Sequence, residues 1–326
     1  MIKKLLALIT LLPFVTMAVA QQVWPTHLTV AQDGSGNYKT IQEAVNAMHD
    51  FSQERVTIFI KKGVYHEKLV VPSWKTNIAF VGESRDSTII TNDDYTGKPF
   101  PGGKDATGNE KFRTFNSYTM LVQGNDCSLQ NLTIQNTAGR VGQAVALHVE
   151  GDRCYVHDCN LLGNQDTLYV GIDSSRQYYY NCFIQGTTDF IFGPATVLFE
   201  NCTVKSLQNS YITAASTTPK QTFGFVFLNC TLIADTAAKK VFLGRPWRPY
   251  AKTVYISTTM GDHITPTGWD NWRNVENEKT AYYAEYNSKG PGAINTGRAA
   301  WSHQLTKKEA KEYTLKNILG NWEPGK

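Results

Sequence analysis

"VLFENCTV", residues 197–204, and "FVFLNCTL", residues 225–232, share one frame: alternating large apolar residues, then Asn, Cys, Thr and an aliphatic residue. The same frame returns in "CSLQNLTI" from Cys127, "CYVHDCNL" from Cys154 and "QYYYNCFI" from Gln177. Its polar anchors are Asn131, Asp158, Asn181, Asn201 and Asn229, spaced 27, 23, 20 and 28 residues apart. Irregular repeats of this length indicate a solenoid, in which each coil buries its apolar face only by stacking on its neighbours. Phe, Val, Tyr, Ile and Thr dominate the repeats and alternate with period two, so the coils are strands rather than helices. The predicted fold is therefore all-β, a single-stranded right-handed parallel β-helix, its rungs separated by the ordinary strand spacing of about 4.8 Å.

Stacking turns equivalent positions into ladders. Cys159, Cys182, Cys202 and Cys230 form one predicted interior ladder and the Asn residues another, bonding turn backbone. Cysteines one rung apart fall near disulfide separation, which leaves Cys182 and Cys202 open as either a bridge or a reduced pair. No His accompanies them at ligand spacing, so no metal site is read there. The sequons at Asn131, Asn201 and Asn229 are more economically explained as ladder residues than as glycan acceptors. Near the N-terminus, Thr40 with Glu43 three residues on forms a capping box ahead of Ile41, Ala44, Val45 and Met48, predicting a short helix over the open end of the first coil. Near the C-terminus, "TKKEAKEYTLKNIL" predicts a helix in a tail that wraps the outside or caps the far end.

The chain opens "MIKKLLALITLLPFVTMAVAQQ": two lysines, an apolar run shorter than a membrane span, and Ala18-Val19-Ala20. Residues 1–20 read as a signal peptide and residues 21–326 as one catalytic domain, exported to a periplasm or outside the cell. Loss of Lys3 and Lys4 takes the formal charge from +4 to +2. A surplus that small argues against nucleic acid, and no second apolar run implies a membrane.

Asp166 and Asp189 each lie seven residues after a ladder cysteine, and Gln143, Asp166 and Asp189 are 23 residues apart in turn. The repeat therefore puts the three at similar places on three stacked coils. Two carboxylates one rung apart raise each other's pKa, so one holds a proton while the other is ionised. That division suits a nucleophile beside a general acid, and the amides of Gln143 and Gln165 suit a developing oxyanion. The chemistry indicated is acyl transfer or glycoside cleavage through carboxylates.

"GVYHE" (63–67), "GQAVAL" (142–147), "GNQDTLY" (163–169), "DFIFG" (189–193) and "LGRPW" (243–247) occur in the order found in pectin methylesterases, and with "VAQDGSGNYKTIQEAV", "GWDNW" and "YYAEYNSKGPGA" the resemblance covers almost the whole chain after the leader. It implies a β-helix hydrolysing methyl esters on the galacturonate units of pectin. In that light Asp189 resembles the nucleophile, Asp166 the acid and then base, Gln143 and Gln165 the oxyanion donors, and Arg245 the partner that keeps Asp189 ionised. Trp247 and Tyr169 fit the family's substrate groove, with Phe192, Phe115 and Trp269 as further candidates. No metal or organic cofactor is implied; the implied partner is methylated pectin, and the protein is expected to act as a monomer. Tyr65 and Glu67 read as structural, and Asp93 and Asp94 as a turn rather than a calcium site. Thr188 and His148 depart from the family's common pattern. Alternatives on the same fold are a lyase or glycosidase, an esterase for another acyl group, and a non-catalytic polysaccharide binder.

Overall fold

The computed structural model describes residues 24–325; the leader expected over residues 1–20 lies outside the described residues. The chain winds through three parallel sheets, one strand to each per turn. Sheet A has 11 strands, from His27–Val30 to His303–Gln304; sheet B has 8, from Gly63–His66 to Thr259–Met260; sheet C has 7, from Leu69–Val71 to Phe242–Gly244. This is the predicted parallel β-helix. Alternation along each strand drives the coiling, because the inward residues of all three sheets meet in one continuous core and can leave water only by stacking. Along the axis Tyr179, Phe199, Phe227 and Tyr255 stack with ring centroids 5.0, 4.5 and 4.4 Å apart.

The Asn ladder marks the corner between sheets A and B, and its role differs from the expected one. Asn131, Asp158, Asn181, Asn201 and Asn229 all hold φ between 52° and 55°, and Ser257 and Asn287 continue the corner at 50°. The position selects residues that tolerate the left-handed region, with Asn and Asp favoured after Gly. Asn181, Asn201 and Asn229 are exposed, and Asn181 reaches across one rung to Asp158 rather than to backbone.

The cysteine ladder is interior as expected, and Cys182 and Cys202 are free thiols. In-register parallel neighbours project their side chains side by side rather than toward each other. Each thiol instead faces a carbonyl of the preceding rung, Cys182 that of Val156 and Cys202 that of Tyr179, both at 3.4 Å.

Helix α1 (Ile41–Ala47) carries the predicted capping box and buries Ile41, Ala44 and Val45 against the first coil. Glu67 accepts the Ile41 and Gln42 N–H groups at 2.9 Å, and buried Tyr65 donates to the Lys61 carbonyl, so both are structural as read. Asp94 is held by Lys68 at 2.9 Å and Lys98 at 3.0 Å. The single C-terminal helix expected is two short ones, α2 (Lys307–Ala310) and α3 (Leu315–Leu319), each started by its own threonine cap, Thr306 and Thr314. The tail wraps the outside of sheet A, where Ile318 and Leu319 pack on Tyr178, Leu198 and Val226.

Candidate active site

The outer face of sheet C carries a lateral ladder running Val70, Leu121, His148, Tyr169, Phe192 and Ala214 in register. Asp166 and Asp189 stand at the corner where the chain enters this sheet, two residues before Leu168 and Ile191, which are paired. Their backbones are bonded to the following rungs, Asp166 N–H to the Thr188 carbonyl and Asp189 N–H to that of Tyr211. Both take left-handed φ, 64° and 49°. Aspartate is among the few side-chain-bearing residues that adopt this conformation readily, and here it turns two acids out of the barrel at consecutive rungs.

Strand alternation sends Ile191 into the core and Phe192, the next residue, to the outer ladder, while Phe190, at the corner before the strand, is buried in the core as well. Gly186 makes room for Phe190, because a Cβ there would lie 2.2 Å from the Phe190 Cβ. On the far side, a Cβ on Gly244 would lie 2.0 Å from Thr213 Oγ1, so glycine at that position lets the strand carrying Arg245 close down.

A cleft of about 350 Å³ opens over these elements, lined by Gln143, Gln165, Asp166, Asp189, Phe192, Arg245 and Trp247, together with Thr114, Phe115, Ala214 and Trp272. Arg245 grips Asp189 with two hydrogen bonds, Nε to Oδ1 at 3.0 Å and Nη2 to Oδ2 at 2.7 Å. Its guanidinium is sandwiched between the rings of Tyr211, at 3.9 Å, and Trp272, at 3.7 Å. Bidentate pairing and ring stacking together hold a guanidinium in one orientation.

The two acids differ electrostatically. Burial, then the neighbouring Asp189 charge, push Asp166 well above the ordinary 3.8, and Arg245 offsets this only weakly. Burial also lifts Asp189, but the hydrogen bonds and charge of Arg245 pull it back, leaving a smaller net rise. Asp166 has no ion-pair partner among the described residues. The arrangement is one carboxylate matched to a cation beside a second acid biased toward its protonated form.

Several expectations need correction. Gln143 does not share the register of Asp166; it bridges Gln165, one residue earlier, because the chain slips between that bridge and the Leu147–Leu168 pairing. Both residues still line the cleft. Trp269 is no groove residue: it is 1% exposed, stacks on Tyr283 with centroids 4.5 Å apart, and donates from Nε1 to Glu285. Trp272 takes the groove position instead, in the same "GWDNW" segment, which was the available signal. Tyr169 lies beneath the cleft edge, packed between Phe115 and Phe192 at centroid distances of 5.0 and 4.8 Å. His148 lies one rung further, buried, with Nε2 3.0 Å from Glu150 Oε1, and Thr188 pairs its hydroxyl with that of Ser210.

The sequence profile of the Pectinesterase family matches residues 27–321. The chain belongs to the pectinesterase family. Pectinesterase 2 of Citrus sinensis is 40% identical over 315 residues, 91% of this chain and 59% of that protein. Among solved structures, a pectin methylesterase from carrot is 38% identical with a TM-score of 0.81, covering 92% of this chain and 94% of its own. A pectin methylesterase from Erwinia chrysanthemi is 32% identical with a TM-score of 0.76, covering 93% and 99%. The chain spans only about half the length of the first curated pectinesterases it matches. Those structures share the parallel β-helix seen here, and among the described residues no helix is long and apolar enough to cross a membrane.

Proposed function

We propose that the chain removes methyl groups from the esterified galacturonate units of pectin, releasing methanol and leaving an acidic polymer. The observation that carries this reading is the pair of buried aspartates on consecutive rungs of one cleft, only one of them matched to an arginine. Asp189, ionised by Arg245, attacks the ester carbonyl carbon. The negative charge that develops on the carbonyl oxygen is met by the side-chain amides of Gln143 and Gln165, each such donor contributing about 10²–10³ in rate. Collapse breaks the bond to the methoxy oxygen, which takes the Asp166 proton and leaves as methanol. Asp189 is then joined to the galacturonyl carbon as an anhydride. Asp166, now a carboxylate, takes a proton from water, whose oxygen attacks that carbon; the acid product leaves, and Asp189 is again ionised and Asp166 protonated.

Phe115, Phe192, Trp247 and Trp272 offer flat apolar faces along the cleft, suited to sugar rings and to the ester methyl. A crystal structure of a pectin methylesterase 32% identical to this chain, with one aspartate changed to alanine, holds a hexasaccharide, which supports a polymer lying in the equivalent groove here. The apolar opening of the chain supports work outside the cytoplasm. The test is to incubate the protein with highly methylated pectin and follow methanol and viscosity together. Methanol accumulating without the viscosity loss of chain scission is expected; scission without methanol defeats the reading, as does undiminished turnover by Asp189→Ala.

A further inference from the structure

A cavity of about 740 Å³, roughly twice the catalytic cleft, lies on the outer face of sheet A and shares no lining residue with that cleft. It originates in a step along one outward ladder, where Thr57, Ala79 and Ser128 are small and Tyr155 and Tyr178, next in register, are large. Tyr178 stacks on Tyr155 with centroids 5.1 Å apart and planes 9° apart, while Ser128 stands on the other side. The C-terminal tail supplies a wall through Trp322 and Gly325, and is fixed there by Arg176 Nη1 donating to the Leu319 carbonyl at 2.9 Å. From the first rungs Arg55 reaches along the sheet: Nη1 donates to the Asp126 carbonyl at 2.7 Å and to Asn77 Oδ1 at 3.4 Å, and Nη2 donates to Ser128 Oγ. These neutral acceptors engage three of its five N–H groups and fix the plane of the guanidinium. Its charge has no carboxylate partner among the described residues, because the Asp126 carboxylate is taken by Arg153, Nε to Oδ1 at 2.6 Å and Nη2 to Oδ2 at 2.7 Å. His157 faces Asp158 at 2.8 Å, and the acids next in sequence to the lining, Glu54 and Glu323, do not line it. The cavity therefore holds two arginines against one aspartate.

We infer that this cavity is a second, non-catalytic binding site for acidic galacturonate units, and that it tethers the enzyme to partly de-esterified pectin. The choice of galacturonate rests on the pectin reading above; the recognition of a sugar acid rests on the cavity itself. A uronate offers a carboxylate, several hydroxyls and an apolar ring face. Arg55 supplies a planar fork of N–H donors already held in one orientation, the group best shaped to a carboxylate. Ser52, Gln53 and Asn77 supply hydroxyl and amide groups for sugar hydroxyls, and Tyr155 and Trp322 supply rings. A hydrocarbon ligand would strip water from those polar groups without replacing it. A phosphate, with about −1.5 to −2 charge, would be met by only one unmatched cation. Because the cavity lies on sheet A and the cleft on sheet C, the two do not form one groove. A polymer engaging both is held at two points, the second contact being intramolecular. A methyl ester lacks the anion, so the site fills as the reaction's own acidic product accumulates.

The test compares wild type with Arg55→Gln and Arg55→Lys, neither of which touches the cleft. Hydrogen exchange with and without de-esterified trigalacturonate locates binding. Salt-sensitive protection is expected over residues 52–57, 126–128 and 320–325, lost in Arg55→Gln and partly kept in Arg55→Lys. Protection confined to the cleft overturns the site. Equal protection of these segments by a fully methylated trimer overturns recognition of the carboxylate, and their equal protection by inorganic phosphate overturns the choice of a sugar. Kinetics test the tether. On partly de-esterified pectin Arg55→Gln should raise KM roughly three- to ten-fold, as expected for one charge-assisted hydrogen bond, with kcat unchanged. On a methylated trimer, too short to reach both places, both constants should stay within about two-fold of wild type. An unchanged KM on the polymer, or equal rises on polymer and trimer, defeats the tether. Should Arg55→Gln fail to fold, Gln53→Glu at an exposed lining position sets a carboxylate against the ligand and should produce the same loss. Failure of wild type to release methanol counts against the reaction assigned, and the exchange result still decides the site.

Discussion

At the scale of single residues, the cleft places one acid where its charge is matched and another where it is not, and the consequences have opposite signs for activity and stability. Burial and Asp189 raise Asp166 above its unfolded value of 3.8. Between that value and the higher folded one, the native state binds more protons than the unfolded state, so stability is fully present below pH 3.8 and declines as pH rises through the window. Asp166→Asn removes the titrating group and keeps the shape. Thermal melts from pH 4 to pH 8 should show the variant more stable than wild type toward neutral pH and the pH slope reduced, while methanol release falls about 10²–10⁴-fold for loss of the general acid. The same bookkeeping applied to Arg245 gives the acid limb of the pH–rate profile. Asp189 must be ionised to attack, and Arg245 is what opposes its burial. A lysine cannot reproduce two parallel bonds or the sandwich between Tyr211 and Trp272. Arg245→Lys should therefore move the acid limb of kcat/KM to higher pH; an acid limb left in place would mean that another group, not Asp189, governs it.

At the scale of the element, every rung from Ser128 onward turns out of sheet A on a corner residue that accepts left-handed φ, and this made the fold legible. Six of these seven corner positions carry Asn or Asp, five of them in an otherwise apolar, period-two frame, so the repeat could be read before its cause was known. Ser257 occupies the same corner at φ 50° without the Asn signal and was missed. The corner predicts a sharp contrast: Asn201→Ala should cost about 1–2 kcal/mol in urea denaturation for forcing alanine into this region, whereas Asn201→Gly should be neutral or nearly so. Equal losses would return the role to the side chain. The aspartate pair was equally legible, because consecutive rungs preserve a 23-residue offset from the cysteines through to Leu168 and Ile191. The Gln143 register was not, since the slip before Leu147 changes the offset without a marker such as Gly or Pro at the slip. Nor could "GWDNW" say which tryptophan turns inward. That choice is made by Glu285 and Tyr283, distant in sequence, which give Trp269 a hydrogen-bond acceptor and a ring to stack on.

At the scale of the whole molecule, a solenoid has two ends that must be closed, and the C-terminal closure is tied to the active site. Arg298 and Glu285, 4% and 3% exposed, form a fully buried bidentate pair at 2.7 and 3.0 Å. Arg298 also donates to the carbonyls of Thr265, Pro266 and Gly292, while Glu285 accepts from Trp269. One ion pair thus ties the last rungs to the segment that continues through Asp270 to Trp272, over Arg245. Because each rung touches only its neighbours, losing this tie should act locally before it acts globally. Arg298→Ala leaves the Glu285 carboxylate buried and unmatched, a loss of about 3–5 kcal/mol. Hydrogen exchange should accelerate over residues 259–305 while the first rungs, 56–92, stay protected, and methanol release should fall with the loosened C-terminal rungs although no cleft residue has changed. Replacing both partners, Glu285→Leu with Arg298→Met, removes the stranded charge and should restore a good part of the stability lost in the single variant. If the double variant is no better than Arg298→Ala, the carbonyl contacts of the guanidinium rather than its charge hold the end closed; if exchange accelerates evenly from end to end, the rungs unfold as one unit and the local coupling of closure to cleft is wrong.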